Sequence, residues 1–307
     1  MNTAALERFQ QGLRPALAAL PADTRRLLHG RGKRWPGLEQ VSVDWLQGVL
    51  HVQLFRAPDD LQAFCDSCLA LAAEQPAIEA LWVQQRYLPG SPGLWLKGEP
   101  RTQWVVSEQG LRYQLALGQA QNTGLFLDMR QGRQWVREHA LGKRVLNLFA
   151  YTCAFSVCAV AGGATQVVNL DMARSALARG RDNHRLNGQP LERVSFLGHE
   201  LFKSWGKVLR GGPYDLVIID PPSFQKGSFV LTQDYRKVLR KLPALLAPDA
   251  EVLACMNDPM IGAGYLIDCM AAEAPGLQFV ERIANPPEFA DSDTEGGLKV
   301  LRFRAPG

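Results

Sequence analysis

The sequence has no apolar run long enough to cross a membrane, and its first residues lack the apolar segment of a secretion signal. Cysteine is scarce, with 6 in 307 residues. Cys65 and Cys68 have CxxC spacing, but no second pair and no histidine cluster completes a zinc site. Because this pair lies in an apolar helical pattern, two buried thiols are expected. These absences predict a cytoplasmic protein with no membrane partner, no metal and no disulfide framework.

Charge of one sign does not dominate either. The chain has 34 Lys and Arg against 30 Asp and Glu, and its net charge is +4. A hydrophobic fraction of 47% with 21% charged residues is typical of a globular protein and argues against disorder. The small positive excess permits a polyanionic partner without demanding one. A chain of 307 residues is long enough for two domains.

The first 120 residues have a mixed pattern. Apolar residues recur at helical spacing over 3–20 and 58–74, whereas residues 40–46 and 48–55 alternate with period two around Gln47-Gly48. That alternation predicts a hairpin, and further strands are expected from Leu81 and Gln103. We therefore predict an α+β domain over residues 1–120.

The stretch from His29 to Trp35 is basic and punctuated by glycine. Its Arg and Lys side chains suit phosphate groups, and Trp35 suits stacking on a base. A solvated loop whose tryptophan covers the core explains the same residues. The sequence leaves both interpretations open.

Strand and helix patterns alternate after residue 140, which predicts a doubly wound, mostly parallel sheet over residues 121–307. Strands are expected at Lys143–Phe149, Gln166–Asp171, Arg193–Gly198, Tyr214–Asp220, Ala250–Met256 and Leu298–Phe303. Helices are expected at Ala173–Asn187, Tyr235–Leu246 and Ile261–Ala274, with another after the first of these strands.

The ends of these strands carry the chemistry. The first strand runs into Phe149-Ala-Tyr-Thr-Cys153 and not into GxGxxG, so side chains stand where a pyrophosphate needs glycine amides. This turn favours a nucleoside cofactor without pyrophosphate. Asp171 ends the second strand and suits ribose hydroxyls, while Glu200 beside Leu201 suits an adenine amino group.

Asp220-Pro-Pro-Ser-Phe224 ends the fourth strand. Proline cannot donate to a sheet ladder, so the two prolines make a stiff corner beside the Asp220 carboxylate. Phe224 is a wall on which a planar base can stack. An ordinary strand-ending turn explains this motif alone, but four such strand ends in order match a class I S-adenosylmethionine-dependent methyltransferase.

Five motifs together resemble the bacterial large-subunit ribosomal RNA methyltransferases over roughly residues 30–303. They are Asn122–Arg130, Leu146–Thr152, Asn169–Arg174, Asn183–Gly188 and Asp215–Phe224. The chain is most similar to the guanine-N7 methyltransferase domain of the fused K/L enzyme, and less similar to the cytosine-C5 enzyme of the I type. The resemblance implies a Rossmann-like class I α/β domain with a smaller N-terminal α+β domain, S-adenosylmethionine as cofactor and an RNA base as substrate.

The resemblance also implies the site residues. The target base would meet Asp220, Pro221, Pro222 and Phe224. The cofactor would be held by Thr123, Asp128, Arg130, Asn147, Phe149, Ala150, Tyr151, Thr152, Asp171, Met172, Glu200, Leu201 and Asp220. Cys153 stands where the family usually has glycine, and its side chain is expected to narrow the room beside the methionine part of the cofactor.

The acceptor atom decides which further residues matter. Guanine N7 carries a lone pair and no proton, so an in-line approach is sufficient. Cytosine C5 needs a cysteine that first attacks C6, and Cys255 after the fifth strand is the candidate. A buried cysteine within a strand explains the same residue, and this is the favoured interpretation of Cys255. Asn257-Asp258 resembles the turn of the guanine enzyme, so guanine N7 is favoured.

Two other classes of function stay open. One is a methyltransferase acting on nitrogen atoms of a small molecule or a protein, and the other is an RNA-binding relative without catalysis. The basic stretch ending at Trp35 speaks against the first, and cofactor binding decides the second. RNA would be held by the α+β domain and by positive residues around the site. The sequence does not predict an oligomeric state.

Overall fold

The computed structural model describes residues 3–225 and 228–307. These residues form two compact units. The first comprises Met1–Leu127 with Pro286–Thr294, and the second comprises Asp128–Asn285 with Glu295–Gly307. The sequence-based boundary after residue 120 stays a prediction about domains. Within the described ranges, no helix is both long enough and apolar enough to cross a membrane.

The first unit contains a five-stranded sheet in the order β1-β2-β3-β4-β5, and all neighbours are antiparallel except β3 and β4. A separate hairpin joins β6 to β7. The elements are α1 Thr3–Ala18, β1 Arg25–His29, β2 Val41–Trp45, β3 Val49–Leu54, α2 Leu61–Ala73, β4 Ala80–Gln85, β5 Gly93–Lys97, β6 Trp104–Glu108 and β7 Leu111–Leu115.

The hairpin predicted around Gln47-Gly48 is confirmed as β2 and β3. Both turn residues have positive φ, 52° and 106°, as a two-residue hairpin turn of this hand requires. Helices α1 and α2 pack on one face of the sheet through Phe9 and Phe64, whose ring centroids are 5.1 Å apart. Cys65 and Cys68 are buried, free thiols, as predicted.

The other face of this sheet is polar and nevertheless buried. Asp44 accepts from the guanidinium of Arg26 and from Gln53 Nε2 at 2.8 Å. His51 stacks on the Trp82 ring at 4.2 Å between centroids, and its Nε2 lies 3.1 Å from Gln84 Oε1. Alternation along each strand therefore separates an apolar layer from a hydrogen-bonded layer.

The second unit contains a seven-stranded sheet in the order β10-β9-β8-β11-β14-β16-β15. The first five strands are mutually parallel, and β16 and β15 are antiparallel to their neighbours. The elements are α3 Arg130–His139, β8 Arg144–Leu148, α4 Ala154–Ala161, β9 Gln166–Asp171, α5 Arg174–Leu186, β10 Val194–Gly198, α6 Trp205–Gly211, β11 Tyr214–Ile219, β12 Phe224–Gln225, β13 Phe229–Val230, α7 Leu231–Leu239, β14 Leu246–Met256, α8 Ala263–Glu273, β15 Gln278–Ile283 and β16 Lys299–Arg304.

This sheet confirms the predicted α/β, Rossmann-like class I fold, with several differences of detail, among them the unpredicted helices α3 and α6. The helix predicted over Tyr235–Leu246 is wrong at its end, because α7 stops at Leu239 and β14 already begins at Leu246. Pro243 cannot continue a helix, and it lies instead in a short 3₁₀ turn. Strand β15 was not predicted, because it is an exposed edge strand without apolar alternation.

The strand order reverses between β8 and β11, and this reversal positions the site. Chain segments leave β8 and β11 in opposite directions, which opens a crevice at the carboxyl ends of the parallel strands. The turn after β8, Asp171 at the end of β9 and Asp220 after β11 all lie at that edge of the sheet.

Burial of histidine predicts how stability responds to acid. Burial lowers the pKa of His51 and of His184 to about 4, whereas an unfolded histidine has a pKa of about 6.5. The unfolded chain therefore binds more protons between about pH 4 and 6.5, and the free energy of unfolding falls as the pH drops through that window. At pH 5 each of these two histidines should lower the free energy of unfolding by about 2 kcal/mol relative to pH 8.

Denaturant unfolding of the wild type and of His51→Asn at pH 8 and pH 5 checks this. Between pH 8 and pH 5, the free energy of unfolding of the variant should fall by about 2 kcal/mol less than that of the wild type. Equal losses would mean that His51 takes up its proton in the folded protein.

Candidate active site

The turn between β8 and α4 is the most strained part of the site. Phe149, Tyr151 and Cys153 have φ of 58°, 47° and 60°, although none of them is glycine. Each residue in this left-handed conformation costs about 1–2 kcal/mol. Such a backbone persists only where its surroundings hold it in place.

Hydrogen bonds from neighbouring strands and helices hold the turn. The amide of Ala150 donates to Leu170 O at 3.0 Å, and the amide of Tyr151 donates to Asp171 Oδ2 at 2.8 Å. On the side of α5, Asn183 Nδ2 donates to Thr152 O at 3.0 Å. The turn is thus fixed from β9 and from α5.

Asp171 serves both the turn and the start of α5. Its Oδ1 accepts from the amide of Ala173 at 2.8 Å, and its Oδ2 accepts from Tyr151. Burial raises the pKa of Asp171, and the two backbone bonds oppose that rise. Each carboxylate oxygen has two acceptor positions, so the group retains capacity for hydroxyl donors of a ligand.

A narrow cleft that opens to solvent lies beside Asp171. Its walls are mainly apolar and aromatic, and the Phe149 and Phe229 rings meet edge to face at 5.0 Å between centroids. Glu200 accepts from the Phe202 amide at 2.7 Å and so fixes its own loop. The lining residues are Phe149, Leu170, Asp171, Met172, His199, Glu200, Leu201, Phe202, Gln225, Ser228 and Phe229.

This cleft brings together five residues that the sequence assigned to the cofactor, namely Phe149, Asp171, Met172, Glu200 and Leu201. Apolar walls with a carboxylate at the rim suit a nucleoside, whose base is planar and whose ribose carries hydroxyl donors. The residues present therefore fit the adenosine part of S-adenosylmethionine.

The corner after β11 is fixed to β14. The hydroxyl of Tyr235 lies 3.3 Å from Ile219 O and 3.0 Å from Cys255 O, so it ties the two strand ends. Ser223 Oγ donates to Asn257 O at 2.8 Å. Pro221 is buried and Pro222 is exposed, and Phe224 presents 67% of its surface to solvent. An exposed aromatic ring therefore projects from a rigid base.

The electrostatics of Asp220 are unusual. Burial raises the pKa of this carboxyl to about 7, the Asp128 carboxylate adds to the rise, and the Arg133 guanidinium opposes it. At neutral pH the group is therefore present both as a hydrogen-bond donor and as an acceptor. Arg133 was not predicted from the sequence, although it lies one helical turn after Arg130 and both are buried.

Cys255 lies fully buried within β14. Burial, followed by the charges of Asp220 and Asp128, raises the pKa of its thiol well above the ordinary value. The group is therefore a neutral thiol and not a thiolate at neutral pH. All six cysteines of the chain are buried and lie outside any disulfide.

A buried chain of hydrogen bonds runs beneath the strained turn, and no local pattern in the sequence predicted it. Asn147 Nδ2 donates to Asn169 Oδ1 at 2.9 Å, and Asn169 Nδ2 donates to Ser156 Oγ at 2.9 Å. Ser156 Oγ lies 2.9 Å from His184 Nε2, and His184 Nδ1 lies 2.6 Å from Gln189 Oε1. Because Gln189 Oε1 only accepts, Nδ1 carries the proton and Ser156 donates to Nε2.

Asn147 thus supports the site from within the sheet. The remaining residues assigned from the sequence lie at other places. Arg130 begins α3, and Asp128 lies in the short turn before it. Thr123 belongs to the first unit, where its carbonyl accepts from the Ala116 amide at 2.7 Å. A role of Thr123 in cofactor binding stays a prediction.

Cys153 is directed at α5. A Cβ added at Gly180 would lie 2.4 Å from Cys153 Sγ, so the thiol occupies the space that this helical glycine leaves. Cys153 is fully buried and is not among the residues that line the cleft. The contact between Cys153 and Gly180 explains why α5 has a glycine in its interior, where alanine is ordinarily more stable.

Gly180→Ala should therefore lower the free energy of unfolding by about 1–3 kcal/mol through overpacking. Cys153→Gly in the same chain should restore it, because Sγ is removed and glycine tolerates the positive φ. Thermal unfolding measures both variants. The control is Gly206→Ala in α6, whose added Cβ would approach nothing closer than 3.9 Å. If the double variant is destabilised as much as Gly180→Ala alone, the proposed contact between Cys153 and residue 180 would be contradicted.

Comparison with known proteins adds independent information. The sequence profile of the S-adenosylmethionine-dependent methyltransferase family matches residues 25–304. The chain is 29% identical over 308 residues to ribosomal RNA large subunit methyltransferase I of Photobacterium profundum, covering 95% of this chain and 77% of the relative. It is 29% identical over 284 residues to a Bacillus subtilis protein provisionally named ribosomal RNA large subunit methyltransferase YwbD, covering 86% of this chain and 69% of the relative.

Among solved structures, a protein described as a methyltransferase in complex with SAH (S-adenosylhomocysteine) is similar, with a TM-score of 0.85 at 23% identity. The likeness covers 99% of this chain and 81% of the other, and at that identity it speaks for the fold alone. The family profile spans nearly the whole chain, and the cleft beside Asp171 fits the family's cofactor. The chain belongs to the S-adenosylmethionine-dependent methyltransferase family.

Proposed function

We propose that this methyltransferase acts on a base of RNA, in the large-subunit ribosomal RNA, and that the acceptor atom is guanine N7. The relatives from Photobacterium profundum and Bacillus subtilis carry the names of ribosomal RNA large subunit methyltransferases, which supports the RNA substrate. The corner from Asp220 to Phe224 supports a planar base, because an exposed aromatic ring on a rigid turn is a stacking platform.

The bound cofactor supplies an electrophilic methyl group on a sulfonium. The residues of this chain bind and orient the two reactants. In our proposal, Asp171 accepts hydrogen bonds from the ribose hydroxyls, and Met172 and Leu201 contact the adenine. Asp220 holds the edge of the target base, and Phe224 stacks on its face. Positioning of this kind provides most of the catalysis when the acceptor already carries a lone pair.

The observation that carries the choice of guanine N7 is the burial of Cys255. Methylation of cytosine C5 needs a thiolate that attacks the neighbouring carbon. Cys255 has no solvent exposure, its pKa is raised, and the other five cysteines are buried as well. Guanine N7 carries a lone pair and needs neither a cysteine nor a general base, so it suits these surroundings.

Cytosine C5 is the second candidate, because the relative from Photobacterium profundum is named as an enzyme of the I type. The sequence resemblance associates that type with cytosine-C5 chemistry. This alternative requires Cys255 to become exposed and to lose its proton.

The direct test incubates an unmodified transcript of large-subunit rRNA with the protein and S-adenosylmethionine, followed by digestion to nucleosides and mass spectrometry. N7-methylguanosine is expected. 5-Methylcytidine would select the second candidate. The absence of any methylated nucleoside, with the cofactor bound, would exclude an RNA methyltransferase acting on this transcript and favour a small-molecule or protein substrate or a non-catalytic RNA-binding role.

Asp171→Ala should weaken S-adenosylmethionine binding by about 1–3 kcal/mol, the usual cost of leaving buried hydrogen-bond partners unmade. Calorimetry of cofactor binding measures the loss. Asp182→Ala is the control, since Asp182 lies on the exposed side of α5 in a surface pair with Arg185. Unchanged affinity of Asp171→Ala would exclude Asp171 as the ribose ligand.

Phe224→Ala should lower turnover far more than cofactor affinity, because stacking of a base on an aromatic ring contributes about 1–3 kcal/mol. Leu141→Ala, at an exposed apolar residue before β8, is the matched control and should change neither quantity. Parallel losses of turnover and cofactor affinity in Phe224→Ala would show that Phe224 only supports the fold.

Cys255→Ser should remain active on RNA, and RNA containing 5-fluorocytosine should form no adduct with the wild type. The reason is that methylation of guanine N7 passes through no covalent enzyme–RNA bond. Denaturing gels detect such an adduct, and labelled methyl transfer measures activity. If the wild type forms an adduct and Cys255→Ser does not, the acceptor atom would be cytosine C5 and not guanine N7.

A further inference from the structure

Two short segments of the second unit are strongly basic. Residues 201–211 and 231–245 contain seven Lys and Arg residues and a single acid, Asp234, which gives a net charge of +6. The whole chain has a net charge of +4, so the remainder is net negative by two. A surface with this density of positive charge needs an explanation beyond solubility.

The seven cations are exposed and lie on neighbouring elements. Lys207 and Arg210 are three residues apart on one face of α6, and Lys203 lies in the short turn just before that helix. The other four are in or directly after α7, and Lys237 Nζ lies 5.7 Å from the centroid of the Phe202 ring, next to Lys203. We refer to these residues as the basic ridge, namely Lys203, Lys207, Arg210, Arg236, Lys237, Arg240 and Lys241.

Carboxylates neutralise only part of the ridge. Lys237 pairs with Asp234 at 2.7 Å, and Arg240 pairs with Glu273 at 2.7 Å. Within the described ranges, no acidic side chain lies within ion-pair distance of Lys203, Lys207, Arg210 or Lys241. Their charge is therefore available to an external anion.

The ridge borders the cofactor cleft. Phe202 and His199 line the cleft, and Lys207 Nζ lies 2.6 Å from His199 Nε2. A polyanion on the ridge would consequently run alongside the site at which the base is modified. Phosphates repeat along a nucleic acid strand, and the cations repeat along the two helices.

We propose that the basic ridge binds the phosphate backbone of the RNA substrate on the strand that carries the target base. This inference rests on the proposed function. Cations on exposed helix faces bind phosphates without reading sequence, and the affinity arises from counterion release. The ridge thus supplies affinity, whereas the corner at Phe224 selects the base.

The test compares two triple variants with the same change in charge. The ridge variant is Lys203→Gln, Arg210→Gln, Lys241→Gln. The control is Arg185→Gln, Arg193→Gln, Arg304→Gln, three exposed residues at the amino-end edge of the parallel strands, opposite the cleft. The probe is a mixed-sequence, single-stranded RNA of about 20 nucleotides, and its Kd is measured between 50 and 200 mM salt.

The ridge variant should bind this RNA about 10- to 100-fold more weakly at 100 mM salt, and its slope of log Kd against log salt should fall by about 2, since each single-strand phosphate contributes about 0.7. The control should stay within about threefold of the wild type, and both variants should keep wild-type S-adenosylmethionine affinity.

Two failures can be told apart. A wild type that shows no salt-dependent RNA binding would overturn the proposed RNA function itself. If the wild type binds RNA and the ridge variant binds it as tightly as the wild type or the control does, only the proposed role of the ridge would be overturned. In that case the charge would serve another partner, such as an acidic protein.

Discussion

The site depends on one carboxylate, that of Asp171. It accepts from the Tyr151 amide on one oxygen and from the Ala173 amide on the other, so it joins the strained turn after β8 to the first residues of α5. Three residues of that turn have positive φ, which a free chain of these amino acids would avoid. The same carboxylate lies at the rim of the cleft. The group that stabilises the turn is therefore also the group that we propose as the ligand of the cofactor's ribose.

Further hydrogen bonds hold the turn after β8 and the corner after β11 in place. A chain of hydrogen bonds runs from Asn147 to Gln189 beneath the turn, and burial lowers the pKa of His184 within it. On the base side, Tyr235 ties β11 to β14. Rigid positioning suits the proposed reaction, in which the electrophile is already activated and the acceptor atom already has its lone pair.

Much of this arrangement was predictable from the sequence because strand ends are local features. The acids at Asp171, Glu200 and Asp220 each follow an apolar strand, and parallel strands bring their carboxyl ends to one edge of the sheet. Alternation located the β2–β3 hairpin in the same way. Strand β15 was not predictable, since an edge strand exposed on its outer side has no apolar pattern. The end of α7 was placed too late because the apolar residues after it continue into β14.

The sequence by itself determined the fold class, the family and which strands end in candidate site residues. These follow from periodicity and from residues that are adjacent in the chain. The tertiary structure alone decided the states of the side chains. Burial beside Asp128 raises the pKa of Asp220, burial within β14 keeps Cys255 a thiol, and Gly180 makes room for Cys153. Each of these depends on partners far apart in the chain, and desolvation and close packing have no local signature in a sequence.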